Sequence, residues 1–187
     1  NNTVLPVAAL PDMKERTITL SGFSKAYAMT GWRIGYLAGP RALIEPMGEV
    51  NHALAISTAA VSQHAALAAM TGPQDCVEEM RRLYDERRRA ICNGLDAMGM
   101  AYAEPQGAFY VYADVSSLGL GITAGAFCER LLAEGQVMMY PGTIYGDYTD
   151  DFVRMSMTQP VDRIRTAMRR MAAVVASFRA ELRQPAN

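Results

Sequence analysis

Apolar residues recur at three- and four-residue spacing through Val77, Met80, Tyr84, Ile91, Leu95 and Met98, which predicts one long amphipathic helix over residues 74–98. Its other face alternates in sign, with Arg81, Arg82, Arg87, Arg88 and Arg89 set among Glu78, Glu79, Asp85 and Glu86, a solvated and ion-paired surface. A second helical stripe, Val161, Ile164, Met168, Met171, Val175, Phe178 and Leu182, predicts a final helix opened by Pro160, where the missing N–H costs nothing. Between the two helices the pattern shortens. Residues 101–104 and 108–114, separated by Pro105-Gln106-Gly107, read as strands. A helix over 124–134 follows, with Thr123 as N-cap and Gly135 as its stop, and then short strands over 137–140 and 152–157. Together these elements predict an α+β layer, a small sheet with helices on one face.

The upstream part reads differently. Residues 1–14 are irregular, interrupted by Pro6 and Pro11, with Asn1, Asn2 and Asp12 as turn formers. The β-branched run Thr17-Ile18-Thr19-Leu20 predicts a strand over 16–20, and residues 34–38, ended by Gly39-Pro40, a second strand of the same sheet. A helix over 41–52 is expected to kink or lose its first turn because of Pro46 and Gly48, and a small-residue helix follows over 59–70. That second helix fits an ordinary buried Ala-rich segment and a close-packed subunit contact equally well. Gly72-Pro73 marks the best internal boundary, so the expected divisions are 1–73, a connecting helix over 74–100, and 101–187.

Composition narrows the classes. With 187 residues, half of them hydrophobic, the chain can bury a core in one domain or two small ones. The net charge of −1 and the mixing of signs give no nucleic-acid surface, the acids a turn away cancelling the basic cluster at 87–89. No apolar run reaches membrane-spanning length and no signal-peptide pattern is visible. Cys76, Cys92 and Cys128 are odd in number and form no CxxC pair, as expected of buried free thiols in a reducing, cytoplasmic compartment. His52 and His64 have no partner at metal spacing, and the 13 methionines read as core filler.

The candidate chemistry lies in Ser21-Gly-Phe-Ser-Lys-Ala-Tyr-Ala-Met-Thr-Gly-Trp-Arg-Ile-Gly35. The preceding strand delivers Lys25 at its carboxyl end, where open α/β sheets place their chemistry. Gly22 lets backbone N–H groups approach an anion, Ser24 adds a hydroxyl, and Arg33 adds a planar cationic fork suited to phosphate. A neighbouring cation favours the neutral amine, the form of a lysine that attacks a carbonyl. A strand-to-helix turn of this composition also accommodates an idle, solvated lysine. Of the 18 basic side chains only Lys14 and Lys25 are lysines, so a lysine-bound aldehyde has almost no other address. Tyr27 could face the site or the core.

Lys25 with Gly22, Ser24, Gly31, Arg33 and Gly35 resembles the pyridoxal-phosphate attachment signature of the class I and II aminotransferases of fold type I. The wording Ala-Met-Thr-Gly-Trp-Arg-Ile-Gly-Tyr is similar to their bacterial aspartate and aromatic branch. The resemblance implies an α/β architecture: the tail of a large cofactor domain, contributing part of a mixed, mostly parallel sheet, then a connecting helix and the small α+β C-terminal domain. It implies that Lys25 attaches pyridoxal 5′-phosphate and shuttles the proton between the substrate Cα and the cofactor, while Arg33, Ser24 and the Gly22 backbone hold the phosphate. Gln106-Gly-Ala-Phe-Tyr110 and Tyr140-Pro-Gly-Thr-Ile-Tyr-Gly146 resemble two further family segments, the first carrying an aromatic toward the substrate. Phe152-Val-Arg-Met-Ser156 resembles the strand whose arginine clamps the substrate α-carboxylate, which assigns Arg154 that role. By pattern alone an arginine there could equally point at water.

The family's pyridine-nitrogen aspartate, ring-stacking aromatic and upstream phosphate loop have no counterpart before Ser21. The expectation is therefore an incomplete fragment, the C-terminal half of an aminotransferase that acts on an amino acid and a 2-oxo acid, homodimeric when whole. Without the acid partner the electron sink is weak, so the chain alone is expected not to turn over, and its uncovered contacts to self-associate. Two alternatives remain open: another reaction of the same cofactor, such as that of a lyase, and an aminotransferase-like sensor module of a transcription regulator. No arginine lies between Arg41 and Arg81 to clamp an acidic substrate side chain.

Overall fold

Residues 4–146 and 149–183 are described by a computed structural model of the chain, so the turn expected at Asn1-Asn2 lies outside the described residues. The chain divides into two units, Asn1–Met80 and Arg81–Asn187, the division falling inside a helix a little beyond the Gly72-Pro73 turn.

In the first unit, 3₁₀ turns at Val7–Ala9 and Lys14–Arg16 occupy the stretch expected to be irregular. The second of them delays the first strand, because Arg16 N–H is bonded to Met13 O at 3.0 Å; β1 is Thr19–Gly22 rather than 16–20. It pairs antiparallel with β2, Gly35–Ala38, in a register running from Thr19↔Ala38 to Gly22↔Gly35. Among the described residues of this unit, these two strands form a sheet of their own. A single helical turn, α1 (Phe23–Ala26), follows β1 directly. Helix α2, Arg41–Ala55, is continuous where the sequence predicts a kink or a broken first turn: Pro46 falls in its second turn and forfeits only one backbone bond. Helix α3, Ala60–Thr71, is tied down by buried Ser62, whose hydroxyl donates to Trp32 O at 2.9 Å. Helix α4 spans Asp75–Met98.

The second unit is built on a four-stranded antiparallel sheet in the order β3-β4-β6-β5, with β3 Ala101–Tyr102, β4 Tyr110–Asp114, β5 Tyr140–Pro141 and β6 Phe152–Ser156. Burial alternates along its central strands. Val111, Ala113, Val153 and Met155 enter the core, and Tyr110, Tyr112 and Arg154 take the other face. The core is completed by Ile91, Leu95 and Met98 of α4 and by the apolar stripes of α5 (Ala124–Gly135) and α6 (Val161–Leu182), among them Phe127, Leu131, Met171 and Val175. Seven of the methionines, including Met100 and Met157, lie in this core as gap-filling side chains, but Met47, Met70 and Met138 are exposed, against the expectation that the methionines are core filler.

Local chemistry explains the boundaries of α5. Thr123 Oγ1 accepts the Ala126 N–H at 3.2 Å, the expected cap. Gly135, expected as the stop, instead remains the last helical residue, and Gln136 takes the left-handed conformation at φ 52°. A Cβ on Gly135 would lie 2.9 Å from Leu131 Cδ1 and 3.3 Å from Val174 Cγ2, so the glycine serves the packing of α5 against α6. The thiols also differ from expectation. Cys92 and Cys128 are buried and unpaired, but Cys76, on the first turn of α4, is exposed. Burial pushes the Cys128 thiol up to about 11 and raises that of Cys92.

Arg130 fastens α5 to α6. Its Nη1 donates to Glu181 Oε2 at 2.7 Å, its Nε to Glu134 Oε1 at 2.8 Å, and its guanidinium lies 3.9 Å from the Phe178 ring centroid. The hydrogen bond from Arg130 holds the Glu181 carboxyl below its usual range. This group therefore stabilises the fold above the unfolded glutamate value of about 4.3 and loses that contribution as pH falls through its lower folded value. Urea unfolding across that acidic range should show stability falling with pH, and the Glu181→Gln variant should show a shallower fall. Phe127, fully buried and stacked on Phe178 at 6.4 Å, tests the core itself. Phe127→Ala should lower the unfolding free energy by about 3–5 kcal/mol in the same measurement.

Candidate active site

The register Gly22↔Gly35 governs where the candidate residues of the first unit stand. It sets Ser24 and Lys25, just after β1, and Arg33, just before β2, at the same end of one two-stranded ribbon. Phe23 anchors that end: it is 3% exposed, packs against Tyr27 and Tyr36 with ring centroids 5.5 and 5.9 Å away, and its N–H donates to Ile34 O at 3.3 Å. Around this buried ring Ser24 is half-buried and Lys25, Gly22 and Arg33 are exposed. Two non-glycine residues of the segment, Ala28 (φ 54°) and Arg33 (φ 49°), adopt the left-handed conformation, at a cost of roughly 1–2 kcal/mol each. Such strain persists where the surroundings over-determine it, which is common at ligand sites. Arg33 Nη1 donates to Thr30 O at 3.0 Å, a contact that braces the side chain against its own turn. Tyr27, left open by the sequence, is half-buried and donates its hydroxyl to Gln74 Oε1 at 3.0 Å.

Of the two paired glycines, Gly35 is the one the geometry requires. A Cβ there would lie 2.7 Å from Ser21 O, whereas one on Gly22 would meet Ile34 O at an ordinary 3.6 Å. Gly22 matters instead for what it leaves uncovered, its backbone beside the Lys25 turn. An exposed amine, a hydroxyl, a guanidinium and bare backbone at one ribbon end form a donor set that fits a phosphate ester bearing an aldehyde.

The second unit carries a separate group. Arg154 stands on β6 opposite Tyr112 of β4 and Tyr140 of β5, on the sheet face away from the core. Its guanidinium lies 4.0 Å from the Tyr145 ring centroid, 4.3 Å from that of Tyr110 and 5.8 Å from that of Tyr140. Tyr112 meets Tyr145 edge-on at 6.3 Å. Among the described residues no carboxylate pairs with Arg154. The expectation that it might merely point at water thus gives way to a half-buried guanidinium enclosed by tyrosines. The period-two spacing of Tyr110 and Tyr112 around core-facing Val111 is the signal that could have revealed this; nothing in the pattern points to Tyr145, which arrives from a 3₁₀ turn at Gly142–Tyr145.

Other candidates stay ordinary. His52 is exposed, its Nδ1 2.9 Å from Ile56 O, and His64 is exposed on α3. Among the described residues no three His, Cys, Asp or Glu side chains gather as a metal site, and no helix is long and apolar enough to cross a membrane.

The first unit thus presents a lysine and an arginine at one end of a ribbon with strained backbone, and the second an arginine among tyrosine rings. The profile of the family "Aminotransferase class I and II" matches residues 2–171, and the chain belongs to that family, whose members are generally pyridoxal-phosphate-dependent. It is 37% identical to an aspartate aminotransferase of Rhizobium meliloti over 91% of its length and 43% of the relative's. It is likewise 37% identical to aromatic-amino-acid aminotransferase 2 of Thermococcus litoralis, over 90% and 43%. The crystal structure of an aromatic aminotransferase from Pyrococcus horikoshii matches with a TM-score of 0.89 at 35% identity, over 96% of this chain and 48% of that one. The chain thus spans less than half the length of these relatives. The α/β fold type I architecture follows from the same matches.

The close approach at Gly35 gives a test of the ribbon. Gly35→Ala should cost about 1–3 kcal/mol, read as faster hydrogen exchange of the Phe23 amide, because the methyl would collide with the Ser21 carbonyl.

Proposed function

We propose that the protein containing this chain transfers an amino group between an amino acid and a 2-oxo acid, using pyridoxal 5′-phosphate attached to Lys25. The observation that carries this reading is the glycine register that gathers Lys25, Ser24 and Arg33 at one ribbon end, in a chain of this family. Bound there, the cofactor supplies an aldehyde that accepts the amino group and a ring that withdraws electrons from the substrate Cα.

The chain's own residues do the rest. Arg33 and Ser24, with the Gly22 backbone, bind the phosphate and fix the cofactor's position. The amine of Lys25 holds the cofactor between turnovers and, once displaced by the incoming amino group, moves the proton at the substrate Cα. Arg154 receives the α-carboxylate in its planar fork, which orients the Cα–H bond. The substrates are thus an amino acid and a 2-oxo acid, taken in alternating half-reactions. We further propose that the whole protein is a homodimer, in keeping with the apolar side chains that α2 and α3 leave exposed, such as Val50, Leu54, Val61 and Leu67. The unpaired buried thiols suit a cytoplasmic, reducing setting.

The test is an assay of the whole protein, with an amino acid and a 2-oxo acid supplied together. Stoichiometric exchange of one 2-oxo acid for another is expected. Lys25→Ala should lower kcat by about 10²–10⁴-fold or more, and Arg154→Leu should lower kcat/KM by about 10- to 100-fold. Release of ammonia would mark a lyase instead. Cofactor binding without turnover would mark a sensor module.

A further inference from the structure

The surroundings of Arg154 are unusual for an arginine that must meet a carboxylate. Among the described residues its partners are ring faces. Tyr145 lies at 4.0 Å and Tyr110 at 4.3 Å from the guanidinium carbon, with Tyr140 further out at 5.8 Å. The two nearer rings each have an aromatic neighbour. The Tyr110 ring lies 4.4 Å from that of Phe109, tilted by 43°, and Phe109 in turn lies 6.1 Å from Tyr84 of α4. Tyr145 is propped by the edge of Tyr112, the residue that faces Arg154 across the β4–β6 ladder. Tyr110 reaches the guanidinium along the diagonal of the same ladder, a separation that long aromatic side chains span.

We infer that Tyr110 and Tyr145 are positioning residues that hold the Arg154 guanidinium in place through their ring faces, leaving its N–H fork for the carboxylate of the substrate. The inference rests on the reading of Arg154 as the carboxylate-binding group. A carboxylate neighbour would have ordered Arg154 equally well, but it would have competed with the substrate for the same donors. Ring faces order a guanidinium by its quadrupole attraction and carry no carboxylate charge. The arrangement supplies order before binding, so less side-chain freedom is lost when a carboxylate arrives. The hydroxyl groups play no part in this role, which separates it from a hydrogen-bonding one.

The experiment uses this chain with ¹⁵N-labelled arginine and follows the Arg154 side chain by nuclear magnetic resonance, with pyruvate as the carboxylate probe. In the unsubstituted chain the Arg154 side-chain protons should be shifted upfield by the rings and its Nε–Hε vector should be rigid. Tyr110→Leu with Tyr145→Leu should remove the upfield shift, mobilise Nε–Hε and weaken pyruvate binding by about 3- to 10-fold. Tyr110→Phe with Tyr145→Phe should preserve all three. Absence of the upfield shift in the unsubstituted chain overturns the inference, whatever the variants do, and so does a phenylalanine pair that behaves like the leucine pair. Both results are independent of Lys25, so an aminotransferase reading that failed would leave the ring contacts standing, and mobile rings would leave Lys25 untouched.

Discussion

The period-two alternation of β4 and β6 is the constraint on which the second unit depends. Val111, Ala113, Val153 and Met155 are driven into the core, and the same pleat obliges Tyr110, Tyr112 and Arg154 to the opposite face. A slip of one residue would exchange the two sets. In β6 it would bury the Arg154 guanidinium without a carboxylate partner and expose Val153 and Met155, at roughly 3–5 kcal/mol for the unpaired charge alone. The hydrophobic core therefore determines which face of the sheet carries Arg154 and its tyrosines.

A backbone version of the same logic operates in the first unit. Gly35 faces Gly22 across a ribbon too close for a side chain, and buried Phe23 fixes the turn that follows. Lys25 and Arg33 reach the same ribbon end because the pairing is antiparallel and closes on these residues. The strain at Ala28 and Arg33 is carried by a segment that Phe23 and Ser62 tie to their neighbours. Stability and chemistry are thus divided between residues a few positions apart.

Much of this was legible in the sequence. The long stripes of α4 and α6 gave helices within a residue or two of those observed, and the Ser21–Gly35 wording led to the family, with Lys25, Ser24 and Arg33 as its proposed site residues. What escaped depended on tertiary partners or on turns. The start of β1 moved because Lys14–Arg16 close a 3₁₀ turn, which no apolar pattern encodes. Gly135 looked like a helix stop, but its lack of a side chain serves the contact with Val174, a neighbour far along the chain. Cys76 shares a helix with buried Cys92, yet lies on its first turn and is exposed. The aromatic surround of Arg154 was half legible: strand periodicity places Tyr110 and Tyr112 on its face, while Tyr145 comes from a turn whose direction periodicity cannot give.

The proposed role of Lys25 is to hold an aldehyde-bearing phosphate. Its most direct test is to mix the chain with pyridoxal phosphate, reduce with borohydride, and map the adduct by mass spectrometry across its two lysines, Lys14 and Lys25. A single reduced adduct on Lys25, with little on Lys14, is the predicted result. Equal labelling of the two lysines would contradict the claim.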